Sequence, residues 1–380
     1  MSLRNYVIRR ILLAFPLFFG ISIIVFTLMM ASPMDYVDIL RAGNPTMTEA
    51  EVNNLRHTLG LDRPDWEQYI FWLIGRNTEI GDLNNYIAEF GDFLINSPGR
   101  FVQSLGVDLG ISGSDFTPGF IFGNMGRSYT GSSINDLIGA KAWETMKLQI
   151  AALIMALMIG IPLGIFSARK PYSKLDNVGT TLALFGVSMP VFWTGVMAIM
   201  LITDWKIFPF NVLYDQFGFR IPAIGSRSYL FTGEETELEI IVDELMHMIL
   251  PTMVLGLAGT ALILRLTRSS MLEVLRQDYI LTARSKGLVE RIVIYKHALR
   301  NAMLPVVTIV GLSFGFLLAG AALTETVFAW PGLGREAVFR IVMRDYNFMM
   351  GINMLISIMV IFANLVTDIT YAFLDPRIRY

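Results

Sequence analysis

The sequence predicts an all-α membrane protein with six transmembrane helices and one large segment outside the membrane. Three observations support this fold class: 54% of the 380 residues are hydrophobic, only 16% are charged, and the mean hydropathy is +0.54. A helix needs about 20 consecutive apolar residues to cross roughly 30 Å of hydrocarbon. Six stretches meet this requirement, at residues 11–30, 146–166, 182–202, 248–266, 304–323 and 349–372.

The first stretch follows Arg4, Arg9 and Arg10 and could be mistaken for a secretory signal peptide. Its apolar run is about 20 residues long, however, against roughly 7 to 15 in a signal peptide. We therefore expect a retained transmembrane helix, which together with the N-terminal tail forms a first region at residues 1–31.

The next region, residues 32–140, is too long for a simple connection and predicts a partly helical insert outside the cytoplasm. It carries fourteen acidic against six basic residues and many aromatic ones, which argues against disorder. Apolar residues between 80 and 94 keep helical spacing, and the apolar run 66–74 is too short to span and is expected at the membrane interface. The insert is either a platform for a substrate-binding protein or a structural cap.

The third region, residues 141–380, is expected to hold the other five spans. Prolines remove backbone hydrogen bonds and predict kinks in the spans at Pro16, Pro162, Pro190, Pro251 and Pro305. Two glycine pairs, Gly160 with Gly164 and Gly311 with Gly315, have the spacing that lets helices approach closely. We expect these contacts within the chain ahead of contacts with another subunit.

Charge distribution predicts the topology, because lysine and arginine collect in cytoplasmic loops. Basic residues precede the first span and follow the second, fourth and sixth, whereas the segments after the first and third spans are acidic. Both termini of this multi-pass cell-membrane protein are therefore predicted to be cytoplasmic. The chain contains no cysteine, so a disulfide and a thiolate metal site are excluded.

The sequence argues against an ion-coupled transporter, a metal-binding protein and an enzyme. The centres of the six spans lack charged residues, while Asp204, Glu325 and Asp368 lie near span ends, where solvent or an arginine such as Arg265 is expected to pair with them. The three histidines are far apart, so no metal site is expected. Neither a catalytic constellation nor a phosphate-binding loop is present, which argues against an enzyme.

The cytoplasmic segment at residues 272–302, here called the coupling segment, predicts two amphipathic helices joined at Gly287. A glycine suits a position past a helix end where φ is positive. Apolar residues recur at helical spacing on both sides of it, at Leu272, Leu275, Tyr279, Ala283, Leu288, Ile292, Tyr295 and Leu299. Such helices either rest on lipid headgroups or dock in a groove of a partner protein, and the spacing leaves both open.

The coupling segment also carries a specific set of residues, namely Tyr279, Thr282, Ala283, Arg284, Lys286, Gly287, the run 297–302, Leu304 and Pro305. This set resembles the cytoplasmic EAA loop of binding-protein-dependent ABC importer permeases, in the variant of dipeptide, oligopeptide and nickel importers. The Glu-Ala-Ala triplet itself is replaced by Leu-Thr-Ala at 281–283, as in that variant. Further similarity covers LGLDRP at 59–64, GIPLG at 160–164, ETVFAWPGLGREAV at 325–338, RDY at 344–346 and LDPRIR at 374–379.

The resemblance implies a type I ABC importer permease fold of the B type, in which the coupling segment sits in a cleft of an ATPase subunit. The expected contact residues are Leu275, Tyr279, Thr282, Ala283, Lys286, Gly287 and Leu288. The implied partners are a second homologous permease, two ATPase subunits that bind ATP and Mg²⁺, an extracytoplasmic substrate-binding protein and membrane lipid. We expect no cofactor in this chain, no nucleic-acid partner and no catalytic role.

Di- or oligopeptides are the leading substrate prediction, with oligosaccharides and nickel chelates as alternatives, because related importers carry all three. The residues that line the pathway are not assigned, since uniformly apolar spans do not fix helix rotation. Two alternatives belong to other classes: a membrane receptor or scaffold, which would need a cytoplasmic effector domain, and an ion-coupled secondary transporter, which would need buried charges.

Overall fold

The structure, a computed structural model, describes residues 3–32, 34–77, 116–118, 120–130, 132–203, 221–228, 236–315, 317 and 321–374. Its helices are α1 (Leu3–Met30), α2 (Tyr36–Gly43), α3 (Glu49–Leu59), α4 (Asp65–Ile74), α5 (Ile134–Arg169), α6 (Lys174–Ser188), α7 (Val191–Thr203), α8 (Glu237–Val274), α9 (Asp278–Ser285), α10 (Glu290–Ala302), α11 (Leu304–Gly315), α12 (Ala322–Val327), α13 (Leu333–Val342) and α14 (Tyr346–Leu374). Two short strands, β1 (Gly75–Asn77) and β2 (Phe116–Pro118), form an antiparallel ribbon. The amphipathic helix predicted at 80–94 and Asp204 lie outside the described residues.

Among the described residues, four helices are long and apolar enough to cross a membrane: α1 over Ile8–Met30, α5, α8, and α14 over Tyr346–Thr370. Two more candidates are bent pairs, α6 with α7 at 105° and α10 with α11 at 48°. The described residues thus contain up to six spans, which follow the order of the six predicted stretches. The mostly helical structure confirms the predicted fold class.

The prolines have different effects on the helices that contain them. Pro190 lies in the break between α6 and α7, and Pro305 is the second residue of α11, beside the 48° bend. Pro16, Pro162 and Pro251 lie inside helices that continue through them. Of the predicted kinks, the largest bend is therefore the one at Pro190. Met189 precedes this proline, and a residue before proline avoids helical backbone angles.

The first of two compact units comprises residues 1–14, 141–336 and 358–380. Its helices pack closely where small residues face a neighbour: a Cβ added at Gly164 would lie 2.6 Å from the Cβ of Thr267, and one at Gly160 would lie 2.9 Å from a methyl of Ile263. A Cβ at Gly315 would lie 3.0 Å from the backbone of α14. These glycines thus pack against helices of the same chain, as predicted, and leave no room for a methyl group.

The second unit comprises residues 15–140 and 337–357. In it α4 packs against α1, because the hydroxyls of Tyr69 and Ser22 are 2.7 Å apart and the ring of Tyr69 lies 5.3 Å from that of Phe26. Trp72 of α4 stacks on Phe120 with centroids 4.9 Å apart. The apolar run predicted at the interface is therefore a ten-residue helix, too short to span, that packs on the first span.

A buried polar cluster in the second unit surrounds the sequence RDY at 344–346. Arg340 donates to Asp345 at 3.1 Å and to Ser128 at 2.7 Å, and both acceptor side chains are buried. Arg344 donates to the hydroxyl of Ser32 at 2.5 Å. Burial, together with the nearby Asp345 charge, raises the pKa of Tyr129 well above its ordinary value. The cluster fastens three distant parts of the chain to one another.

Candidate functional site

The turn at Gly287 has the conformation that the sequence predicts. Gly287 has φ +76°, and its backbone N–H donates to the carbonyl of Arg284 at 2.9 Å. A Cβ at this position would meet no atom within 4 Å. Glycine is thus required for its backbone angle and not for space, and the two helices predicted on either side of it are α9 and α10. The first is shorter than predicted, because Leu272 belongs to α8 and Leu275 directly follows α8.

Two polar contacts hold α9 and α10 together across this turn. The guanidinium of Arg284 donates to both carboxylate oxygens of Glu290, at 3.2 and 2.8 Å. The amide of Asn301 donates to the hydroxyl of Tyr279 at 2.7 Å. The Glu290 carboxylate also raises the pKa of Arg284 above its usual value. The sequence analysis did not single out Glu290, and it included Asn301 only in the run 297–302, because helical spacing relates residues on one helix and not residues that meet across a turn.

An apolar cluster anchors the coupling segment to the ends of α5 and α8. Its buried members are Ile165, Ala168, Met271, Ile280, Ala283, Val293, Ile294, Ala298 and Ala302. Leu275 is partly buried and packs against it. Two of the seven expected contact residues, Ala283 and Leu275, therefore point inward and support α9 from behind.

The opposite side of the coupling segment presents apolar side chains to the surroundings. Val289 is 67% exposed and Leu281 is 52% exposed, although both are fully apolar. Further exposed members of this surface are Tyr279, Leu288, Ile292 and Tyr295. Thr282, Lys286 and Gly287 are also exposed, so five of the seven expected contact residues are accessible on the surface around the turn, which is here called the strip.

The residues that α10 buries are not the ones that recur at helical spacing in the sequence. Residues 293–298 form a π-helical turn, in which the N–H of Leu299 donates to the carbonyl of Ile294. A π turn contains more residues than an α turn and shifts the phase of the side chains. Val293 and Ile294 are consequently buried, while Ile292 and Tyr295, which share the predicted stripe, face outward.

The charged residues predicted near span ends are engaged by protein groups. Asp368 pairs with an arginine, as expected, and this arginine is Arg10 at 3.0 Å, so α14 is tied to α1. Glu325 is buried and accepts from the hydroxyl of Thr145 at 2.9 Å and from the backbone N–H of Arg335 at 2.8 Å. Within the described part of the chain, no group of three potential ligand side chains could hold a metal ion.

The described acidic residues of the insert are largely engaged within the insert itself. Arg56 pairs with Asp35 at 2.9 Å and with Asp38 at 2.6 Å, and Arg41 pairs with Glu49 at 2.5 Å. Three more acids engage neighbours: Asp62 with His57, Glu67 with Arg63, and Glu51 with the N-cap of α3. The hydrogen bond from His57 lowers the pKa of Asp62. The acidic composition of this region therefore stabilises its helices.

Comparison with known families gives two matches. A family described as binding-protein-dependent transport system inner membrane component matches residues 160–380. A second, described as the N-terminal part of binding-protein-dependent transport system membrane components, matches residues 3–83.

Curated relatives match the chain along its length. The dipeptide transport system permease protein DppB of Escherichia coli (strain K12) is 37% identical over 382 residues, with 99% of each chain covered. The oligopeptide transport system permease protein AppB of Bacillus subtilis (strain 168) is 35% identical over 377 residues, again with 99% of each chain covered. The di/tripeptide transport system permease protein DppB of Pseudomonas aeruginosa (strain UCBPP-PA14) is 34% identical over 384 residues with the same coverage.

Proposed function

The chain belongs to the family of binding-protein-dependent transport system inner membrane components, and we propose that it is a peptide permease subunit of an ATP-driven importer. It is a multi-pass inner-membrane protein and, as a permease subunit, does not itself catalyse a reaction. The names of its relatives support peptides as the substrate, from dipeptides to oligopeptides. None of the three relatives named above is described as a carrier of oligosaccharides or nickel chelates.

A permease of this kind works as part of a larger complex. The proposed partners are a second homologous permease, two ATPase subunits that bind ATP and Mg²⁺, an extracytoplasmic substrate-binding protein and the surrounding lipid. The distribution of basic residues supports a cytoplasmic location for both termini and for the coupling segment, which carries many of these residues.

One observation carries the coupling role: the strip around Gly287 exposes apolar side chains on a segment whose other face is buried. Leu281 and Val289 flank the turn and are each more than half exposed. Full burial of such a side chain stabilises an interface by about 1.5–3 kcal/mol. An apolar strip on paired helices fits a groove of a partner protein, and Tyr279 and Thr282 of α9 and Lys286 directly after it are exposed as well.

The apolar cluster behind the strip connects α9 to two spans. Ile280 and Ala283 of α9 share buried contacts with Met271 of α8 and Ile165 of α5. Because packed interiors resist compression, a displacement of α9 by the ATPase also moves the ends of both spans. Closure of the ATPase dimer on ATP would thereby reorient the pathway for substrate delivered by the binding protein.

The proposal is tested by purifying the chain in mild detergent from its host and identifying the accompanying proteins by mass spectrometry. We expect a second permease and two ATPase subunits. Proteoliposomes that contain the purified complex, with its binding protein added outside, should then take up labelled dialanine only when ATP is enclosed in the vesicle lumen, which corresponds to the cytoplasm. A chain that purifies alone from a detergent known to preserve ABC complexes contradicts the assignment and favours a receptor. Uptake that collapses with the ion gradient while ATP remains present favours a secondary transporter.

A further inference from the structure

A buried ion pair fastens the broken span, α6 with α7, to α8. Arg268 donates from Nε to Oδ1 of Asp176 at 2.6 Å and from Nη2 to Oδ2 at 2.9 Å. The side chain of Asp176 is 2% exposed and that of Arg268 is 24% exposed. Two parallel hydrogen bonds fix both the distance and the relative direction of the groups, so the pair is a rigid link between the helices.

Asp176 also holds the turn that precedes α6. Its carboxylate accepts from the backbone N–H of Tyr172 at 2.8 Å and from the hydroxyl of Thr180 at 3.4 Å. Tyr172 has φ +61°, a left-handed conformation that a tyrosine adopts only under constraint. A single carboxylate therefore fixes the turn, the first part of α6 and α8 at once.

The ion pair lies close to the coupling segment along α8. Met271 follows Arg268 by less than one helical turn and is fully buried in the apolar cluster with Ile280 and Ala283 of α9. Only Leu275, Arg276 and Gln277 separate the end of α8 from the start of α9. A displacement of α9 is thus delivered directly to the part of α8 that carries Arg268.

The other half of the broken span contacts α8 at a different level. Ile202 of α7 packs with Leu250 and Val254 of α8 and with Phe328. Leu250 and Arg268 lie about 27 Å apart along α8 at 1.5 Å per residue. Between these levels α6 also packs on α8, where Ala183 lies against Ala261 and Leu264, so the broken span contacts α8 on both sides of its 105° bend.

We propose that the Asp176–Arg268 pair transmits movement of the coupling segment to the broken span, which makes Asp176 and Arg268 positioning residues for transport. This proposal rests on the proposed importer function. Movement of α9 shifts α8, the ion pair carries α6 with it, and the bend at Pro190 absorbs the change relative to α7.

Four variants test the link. Asp176→Asn keeps an oxygen that can accept from Tyr172 but removes the charge, and Arg268→Gln removes the other charge. The double variant Asp176→Asn/Arg268→Gln leaves no uncompensated buried charge, which separates stability from coupling. We expect the double variant to assemble with the ATPases in normal amounts and to hydrolyse ATP within about twofold of the unmodified complex. In the double variant, dialanine uptake per ATP hydrolysed should fall at least tenfold. The single variant Arg268→Lys, which keeps a positive charge beside Asp176, should retain part of the uptake that the double variant loses.

A direct measurement follows the broken span itself. The chain has no cysteine, so Ser188→Cys introduces a unique spin-label position at the exposed end of α6. We expect ATP to change the label's spectrum in the otherwise unmodified complex and to leave it unchanged in the double variant. Normal uptake per ATP, or an unaltered ATP response of the label, in the double variant would overturn the link. Failure of the importer assignment is distinguishable, because it appears as missing ATPases or missing ATP-driven uptake with the unmodified chain.

Discussion

The coupling segment and the helices α2 to α4 of the insert are both built from short helices and tight turns, yet they use their side chains in opposite ways. In the insert, charged residues pair locally, as Arg56 does with Asp35 and Asp38. In the coupling segment, apolar side chains such as Val289 and Leu281 remain exposed although a buried cluster lies directly behind them.

The difference shows that the number of charges does not identify a docking surface. Surface ion pairs contribute only about 0–1 kcal/mol each, and charges already paired within a segment offer little to a partner. Exposed apolar side chains, in contrast, gain free energy whenever a partner or lipid covers them. The coupling segment therefore has the stronger physical basis for a partner contact, whereas the described part of the insert fits a structural cap.

The largest expected effect comes from placing charge on the exposed apolar strip. Leu281→Asp/Val289→Asp should reduce ATPase retention at least about 100-fold, because each carboxylate would be buried without a cation in the proposed groove. Both side chains are more than half exposed, so the chain itself should insert and fold normally. Co-purification of the ATPases measures the effect, with Leu281→Met/Val289→Ile as the matched control. Retention equal to that of the control would identify the strip as a lipid-facing surface.

A change of backbone at Gly287 should have a smaller effect that acts on coupling and not on assembly. Gly287→Val forces a β-branched residue to φ +76°, whereas asparagine tolerates this region. We expect membrane insertion to persist with valine while uptake per ATP falls about tenfold, a loss equivalent to about 1.4 kcal/mol. Gly287→Asn is the control and should retain most activity. Normal transport by the valine variant would contradict the role of the turn.

In the insert, removal of one cation should affect local stability alone. Arg56→Gln leaves Asp35 and Asp38 without their guanidinium partner and should destabilise α2 and α3 by about 1 kcal/mol, since all three side chains are partly exposed. Hydrogen exchange of α2 and α3 measures this change. ATPase retention should stay unchanged. A loss of retention would contradict this expectation and would mean that the insert affects the contact between the coupling segment and the ATPase.

The smallest effect is expected from reversing acidic charges on the insert. Asp65→Lys and Asp136→Lys place a base in the first turn of α4 and α5, at a cost of about 0.3–1 kcal/mol each to the helix ends. Binding-protein-dependent uptake should change less than about twofold. A tenfold loss in a fully assembled complex would instead restore the acidic insert as a docking platform.

The sequence was sufficient for features that depend on local composition. Apolar stretches located the spans, because the thickness of the membrane sets the length of an apolar helix that crosses it. Gly287 located the turn, because a positive φ favours glycine. The break at Pro190 was predicted as a kink, but its 105° angle depends on how α6 and α7 pack on α8.

Features that depend on tertiary geometry were not accessible in the same way. The sequence did not reveal that Val293 and Ile294 form the inward face of α10, because helical spacing assumes 3.6 residues per turn, while residues 293–298 form a π turn. No periodic pattern relates Asp368 to Arg10 or Asp176 to Arg268. Such pairs are set by which helices meet, and the sequence alone supplies no measure of that.

The pair between Arg10 and Asp368 has a consequence for biosynthesis. Translation proceeds at about 5–20 residues per second, so the ribosome delivers Asp368 roughly 20–70 seconds after Arg10. During that interval the first helix is already in the membrane and cannot yet contact its acidic partner on the last. A nascent chain that ends before Asp368 therefore lacks this contact between α1 and α14.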